Sequence, residues 1–141
     1  MPKKISSHLK VYSDATLTQG AWLIHRGTVL NFPIPRSFRY SSFEAEFYAA
    51  YRAIMDNGTD DMRISLHCDH KGLCCILNSG ALRRPQRYPL VSDSLTKLLS
   101  WMDSKNISLS VQWIPSEFNP ADGPSRSALM RQDPELSAED I

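Results

Sequence analysis

From Leu9 to Ile34 the chain reads as β-structure, and at Ser41 it changes to the period of a helix; no other feature limits the fold so strongly. Leu9, Val11 and Ser13 alternate with Lys10 and Tyr12, which is the two-residue period of a strand, and the run closes at Asp14. The stretches GAWLIH and TVLNFPI flank Arg26-Gly27, a two-residue connection compatible with a hairpin, although a weaker turn signal than Asn-Gly. Three antiparallel strands are therefore expected to open the fold. Phe43, Phe47, Ala50 and Ile54 then recur at helical spacing, with Ser41 or Ser42 to cap the start and Asn57-Gly58 to end it. Residues 63–68 read as a strand, 70–78 as a short helix, 90–104 as a long helix and 107–114 as a last strand, with a further short helix expected from Pro120. The order β-β-β-α-β-α-α-β-α predicts an α/β domain, a mixed five-stranded sheet flanked by helices.

A chain of 141 residues, 42% hydrophobic and 22% charged, is sized for one domain with its own core. The expected organisation is a flexible segment at 1–8, the folded domain at 9–131, and an acidic tail at 132–141 whose four acids and Pro134 predict disorder. The odd number of cysteines, Cys68, Cys74 and Cys75, does not look like a disulfide framework and fits a reducing compartment. No apolar run approaches the roughly 18 residues of a membrane span, and MPKKISSHLK lacks the apolar stretch of a signal peptide, so a soluble intracellular protein is expected. A net charge of +1 permits a nucleic-acid surface without demanding one.

Four carboxylates occupy telling places: Asp14 at the end of the first strand, Glu46 in the first helix, Asp69 closing RISLHCD, and Asp122 after the loop IPSEFNPAD. Any one of them alone is ordinarily a turn, cap or surface residue. Together, from two strand ends, a helix and a late helical turn, they can reach one point and offer the hard oxygen ligands that suit magnesium or manganese. A competing pattern lies in HCDHKGLCC, where His70 and Cys74 have the spacing to chelate zinc on one helical face. Cys68, pointing away from His67 and Asp69 on a regular strand, and the lack of a second ligand pair weigh against it. Trp22, Trp101 and Trp113 are expected in or near the core.

The element order and the sequence of acids resemble the ribonuclease H family over roughly residues 9–127. YSDATLTQGAW and WIPSEFNPADGPSR look more narrowly like the ribonuclease H domain of hepadnavirus-type reverse-transcribing polymerases. The closing motif also occurs in retrotransposons, so a nackednavirus-like relative and a retroelement both stay open as sources. The resemblance implies a ribonuclease H-like fold and cleavage of the RNA strand of an RNA–DNA hybrid, leaving a 3′-hydroxyl and a 5′-phosphate. It makes Asp14, Glu46, Asp69 and Asp122 the ligands of two Mg2+ or Mn2+ ions, with Asp14 between them. It also implies a reverse transcriptase region lying N-terminal in the same polyprotein, a monomeric isolated domain, and a location in the cytoplasm or a viral nucleocapsid. Of the two glutamates on the helix, Glu46 falls nearer the apolar stripe than Glu44 and is the one expected at the site.

The chain departs from the family in two places. The loop Ser116-Glu117-Phe118-Asn119 has no histidine, leaving Glu117 as a candidate for part of that role, and SGALRRPQRYP is too short for the family's basic protrusion. Arg83, Arg84 and Arg87 in that segment are candidate phosphate contacts, and Ser42 and Lys71 are candidate contacts to the 2′-hydroxyl side of the hybrid. A catalytically weak nucleic-acid scaffold on the same fold is one rival. An integrase-like enzyme is another, disfavoured because Glu46 falls between the first two aspartates.

Overall fold

A computed structural model describes residues 7–125 of the chain. The acidic tail expected at 132–141 and residues 1–6 of the expected flexible segment lie outside the described residues. β1 (Ser7–Ala15), β2 (Gln19–Ile24) and β3 (Val29–Pro33) come first, followed by α1 (Ser42–Asn57), β4 (Met62–Cys68), α2 (Lys71–Ser79), α3 (Pro89–Ser104) and β5 (Ser108–Trp113). Short 3-10 turns at Arg36–Phe38 and Ser116–Phe118, which no sequence signal marks, precede α1 and follow β5. The five strands form one sheet in the order β3-β2-β1-β4-β5. β1 is antiparallel to β2, and β2 to β3, whereas β4 runs parallel to both β1 and β5. The expected mixed sheet is thus present.

Two local expectations are corrected. β1 begins at Ser7, where Ser7 pairs with Met62 and His8 with Arg63, so the ladder enters the segment expected to be flexible. The β2–β3 connection is also longer than the two residues Arg26-Gly27. The Ile24 N–H donates to the Thr28 carbonyl, the Gly27 N–H to the Ile24 carbonyl, and Arg26 carries the left-handed φ of 58°. A two-residue type I′ turn needs positive φ at both central positions and a type II′ turn needs glycine at the first, neither of which Arg-Gly favours.

Small residues bring α1 close to the sheet. Ala45, Ala49, Ala50 and Ala53 are buried along it beside Phe47 and Ile54, and the helix packs on β1 and β2. Burying a side chain such as Phe47 contributes about 1.5–3 kcal/mol. A polar latch fixes the same contact: the Trp22 indole N–H donates to Asp56 at 2.8 Å, and Asp56 pairs with Arg52 one turn earlier at 3.0 Å. The helix ends against Gly58, where an added Cβ would lie 2.9 Å from the Trp101 ring; close approach rather than an unusual φ requires the glycine. α2 ends differently, on Gly80 with φ 72°, a left-handed cap. α2 packs on β5, and its Asn78 clasps that edge strand by donating to the Val111 carbonyl at 2.8 Å and accepting from the Val111 N–H at 2.9 Å. Edge groups that would otherwise be open are so satisfied.

The parallel pair β1–β4 in the middle of the sheet is what locates the site. Tyr12 is level with His67 in the last pair of this ladder, and Asp14 and Asp69 each follow two residues later.

Candidate metal centre

Asp14 and Asp69 meet because their strands are parallel neighbours, and Asp122 joins them from the first residue of a helical turn after β5. Carboxylate oxygens of the three lie within 4.8 Å of one another. Glu46, on the second turn of α1, comes against Asp14 from the helix. It is 7% exposed, and its Oε1 has no hydrogen-bond partner among the described residues.

So many acids in one place resist ionisation. Burial pushes the Glu46 carboxyl well above its ordinary range, and the charge of Asp14 pushes it further. Asp14 is raised first by burial and then by sharing a hydrogen bond with Asp122. Asp69 is raised by burial and by the charge of Asp122, while the Asn119 side chain favours its ionised form. Without a counter-charge the cluster therefore retains protons near neutral pH. An all-oxygen donor set with an unpartnered buried carboxylate oxygen fits a hard divalent cation, for which neutralising these charges is the favourable part of binding.

Glu44 has other work. The Ser41 hydroxyl donates to Glu44 Oε1 at 2.8 Å, and the Glu44 N–H donates to Ser41 Oγ at 3.2 Å, which closes the N-terminus of α1. The Ser-x-x-Glu spacing carried that signal in the sequence, where only the helical face separated the two glutamates. The zinc pairing is not formed. His70 Nδ1 accepts from the Leu73 N–H at 3.1 Å as the cap of α2, and Cys74 Sγ lies 3.3 Å from buried Cys68 Sγ. Among the described residues, the grouping able to hold a metal is Asp14, Asp69 and Asp122.

The remaining candidates are exposed. Ser42 is exposed as the first residue of α1. Lys71 begins α2 immediately after Asp69 and His70, with its ammonium 4.5 Å from the Trp113 ring centroid. Trp113, expected near the core, is 43% exposed, and its indole N–H donates to the Asp69 carbonyl at 3.2 Å. Trp22 is buried and Trp101 partly buried, as expected. Arg83, Arg84 and Arg87 are exposed and line a groove of about 740 Å³ with Phe43, His70 and Tyr88, between α2 and the start of α3. Glu117 is exposed and stands outside the carboxylate grouping. Asn119, which sequence reasoning passes over as mere loop, is buried and bonded to β1; only its place before a proline hints at a structured turn.

Sheet order and helix placement are those of the ribonuclease H fold. No protein-family profile and no curated protein matches the chain. Solved structures do. RNase H1 from the halophilic archaeon Halobacterium salinarum superposes with a TM-score of 0.64 at 20% identity, covering 88% of this chain and 98% of the other. LC11-RNase H1, solved in complex with an RNA/DNA hybrid, superposes with a TM-score of 0.69 at 17% identity over 87% and 97%. A foamy viral protease-reverse transcriptase in complex with dsDNA gives 0.54 at 12% identity over 90% and 97%.

Proposed function

We propose that this chain is a ribonuclease H domain that hydrolyses the RNA strand of RNA–DNA hybrids with divalent metal. One observation carries the reading: Asp14, Asp69 and Asp122 bring carboxylate oxygens within 4.8 Å of one another, with buried Glu46 against Asp14, on the ribonuclease H fold. Magnesium or manganese, when bound, makes a water nucleophilic near neutral pH and neutralises charge on the phosphoryl oxygens. Asp14 and Asp69, on rigid strand ends, fix the centre of the ligand set; Glu46 and Asp122 close it from the helix and the late turn. Water attack on phosphorus breaks the bond to the 3′-oxygen, which takes up a proton, and leaves a 5′-phosphate on the other fragment.

Exposed Ser42, four residues before Glu46 on the same helix, and exposed Lys71, two residues after Asp69, are the contacts this reading assigns to the 2′-hydroxyls. Arg83, Arg84 and Arg87 replace the missing protrusion with a short basic rim for the hybrid's phosphates. The Asp-Ala-Thr at Asp14 and the Asn-Pro-Ala-Asp-Gly-Pro-Ser-Arg around Asp122 support assignment to a hepadnavirus-type polymerase, with the reverse transcriptase region as the covalent partner. Occurrence of the fold in a foamy viral protease-reverse transcriptase supports that partnership.

The test supplies labelled RNA in a hybrid, labelled DNA in the same hybrid, and a labelled DNA duplex, each with Mg2+ or Mn2+ and with Asp69→Asn as control. Cutting confined to hybrid RNA and lost in the control is expected. Equal metal-dependent cutting of duplex DNA would assign an integrase-like activity instead, and binding without cutting under any metal would make the domain a scaffold.

A further inference from the structure

The cluster contains a contradiction that its ligands cannot resolve themselves. Four carboxylates repel one another, yet Asp122 arrives on a segment that pairs with no strand. Asn119 is the residue placed to hold it there. The residue is 4% exposed, and its Nδ2 donates to the carbonyl of Ser13, the neighbour of Asp14, at 2.9 Å. Its Oδ1 accepts from the N–H of Ala121, the neighbour of Asp122, at 3.0 Å. The Asp122 N–H donates to the Asn119 carbonyl at 3.0 Å, so the turn is closed on itself before it meets β1.

We infer that Asn119 is a positioning residue that sets the spacing of the metal-binding acids, linking the segments that carry Asp14 and Asp122 through one uncharged side chain. The inference rests on reading the cluster as a metal centre. An amide suits the place for a chemical reason. It offers two N–H donors and an acceptor without adding a fifth negative charge, which neither carboxylate nor hydroxyl can do. A cation that demands near-ideal octahedral oxygen geometry is sensitive to small displacements of its ligands, and residues that orient ligands typically alter affinity by 10- to 100-fold.

Mn2+ affinity measured by calorimetry tests this without relying on cleavage. Asn119→Ala removes the link, and Asn119→Asp keeps the shape and the acceptor while removing the donors. Asn78→Ala is the matched control, because Asn78 also makes two backbone hydrogen bonds, but to Val111 on β5. All proteins are measured below their melting temperatures, with folding checked by circular dichroism. Both Asn119 variants are expected to bind Mn2+ roughly 10- to 100-fold more weakly, while Asn78→Ala stays within about twofold of the unsubstituted protein. Folded Asn119 variants with unchanged Mn2+ affinity, or an equal loss in Asn78→Ala, would overturn the positioning role while leaving the metal centre standing. Failure of the unsubstituted protein to take up Mn2+ would overturn the metal centre and, with it, this inference.

Discussion

Glu46→Gln is expected to stabilise the metal-free protein while destroying its activity. In the unfolded chain Glu46 loses its proton near its ordinary value of 4.5, but in the folded chain burial and the charge of Asp14 hold the proton to well above neutrality. Between those limits the folded state binds more protons than the unfolded state, so stability falls as pH rises from 4.5 through neutrality. At pH 7 the accumulated cost is about 3 kcal/mol, because each pH unit above the unfolded value contributes about 1.4 kcal/mol. Glutamine has no proton to lose and can donate to Asp14, so the substitution removes this cost. For a domain of this size that corresponds to a rise of about 6–12 °C in melting temperature in chelator at pH 7. The difference between the proteins should shrink as pH is lowered toward 4.5. Metal narrows the difference: at about 100 times its dissociation constant it returns about 2.7 kcal/mol to the unsubstituted protein, and less to a variant lacking one ligand. The assay is thermal unfolding of both proteins from pH 4.5 to 8, with chelator and with Mg2+. If Glu46→Gln melts no higher in chelator at pH 7 and both proteins follow parallel pH dependences, Glu46 is not the buried, proton-retaining acid described above.

Asp14→Asn and Asp69→Asn should each abolish hybrid cleavage while leaving the circular dichroism spectrum unchanged, since an amide of the same shape replaces a ligand charge. Glu44→Gln should retain cleavage and lose no more than about 1 kcal/mol in chemical denaturation, the scale of a helix cap. Replacing Arg83, Arg84 and Arg87 with Ala should weaken hybrid binding and flatten the slope of log affinity against log salt by about 0.7–0.9 for each phosphate no longer neutralised, as read by fluorescence anisotropy. An unchanged slope would make the three arginines a solvated turn.

The elements with strong periodicity were legible in the chain itself. α1 and α3 lie within a residue or so of their expected bounds, and in α1 four apolar residues at helical spacing leave little choice. Asp14 and Asp69 were visible as acids ending alternating runs, and the parallel register explains why such ends meet. What the sequence hid depends on partners far along the chain. Asn119 looks like any loop asparagine until the turn folds back onto Ser13. His70 looks like a ligand and is a helix cap, and Trp113 looks like core and is a half-open surface residue bonded to the Asp69 backbone. The β2–β3 connection departs from expectation for a local reason, since Arg-Gly suits a longer turn in which the arginine itself takes the left-handed conformation.

The pairing of β1 with β4 has a consequence for how this protein comes into being. Parallel neighbours cannot be joined by a tight turn, so Asp14 must wait for β2, β3 and α1 to be made before Asp69 can stand beside it. Asp122 emerges later still, after β5. A growing chain can thus assemble its apolar interior first and complete its acidic cluster last, when the turn from Asn119 closes over the strand ends. Non-local assembly of this kind is slow, and it leaves mutual repulsion of the acids to the final step. Available divalent cation would therefore quicken the end of folding rather than its beginning, and a chain halted before that turn would lack the third carboxylate of the cluster.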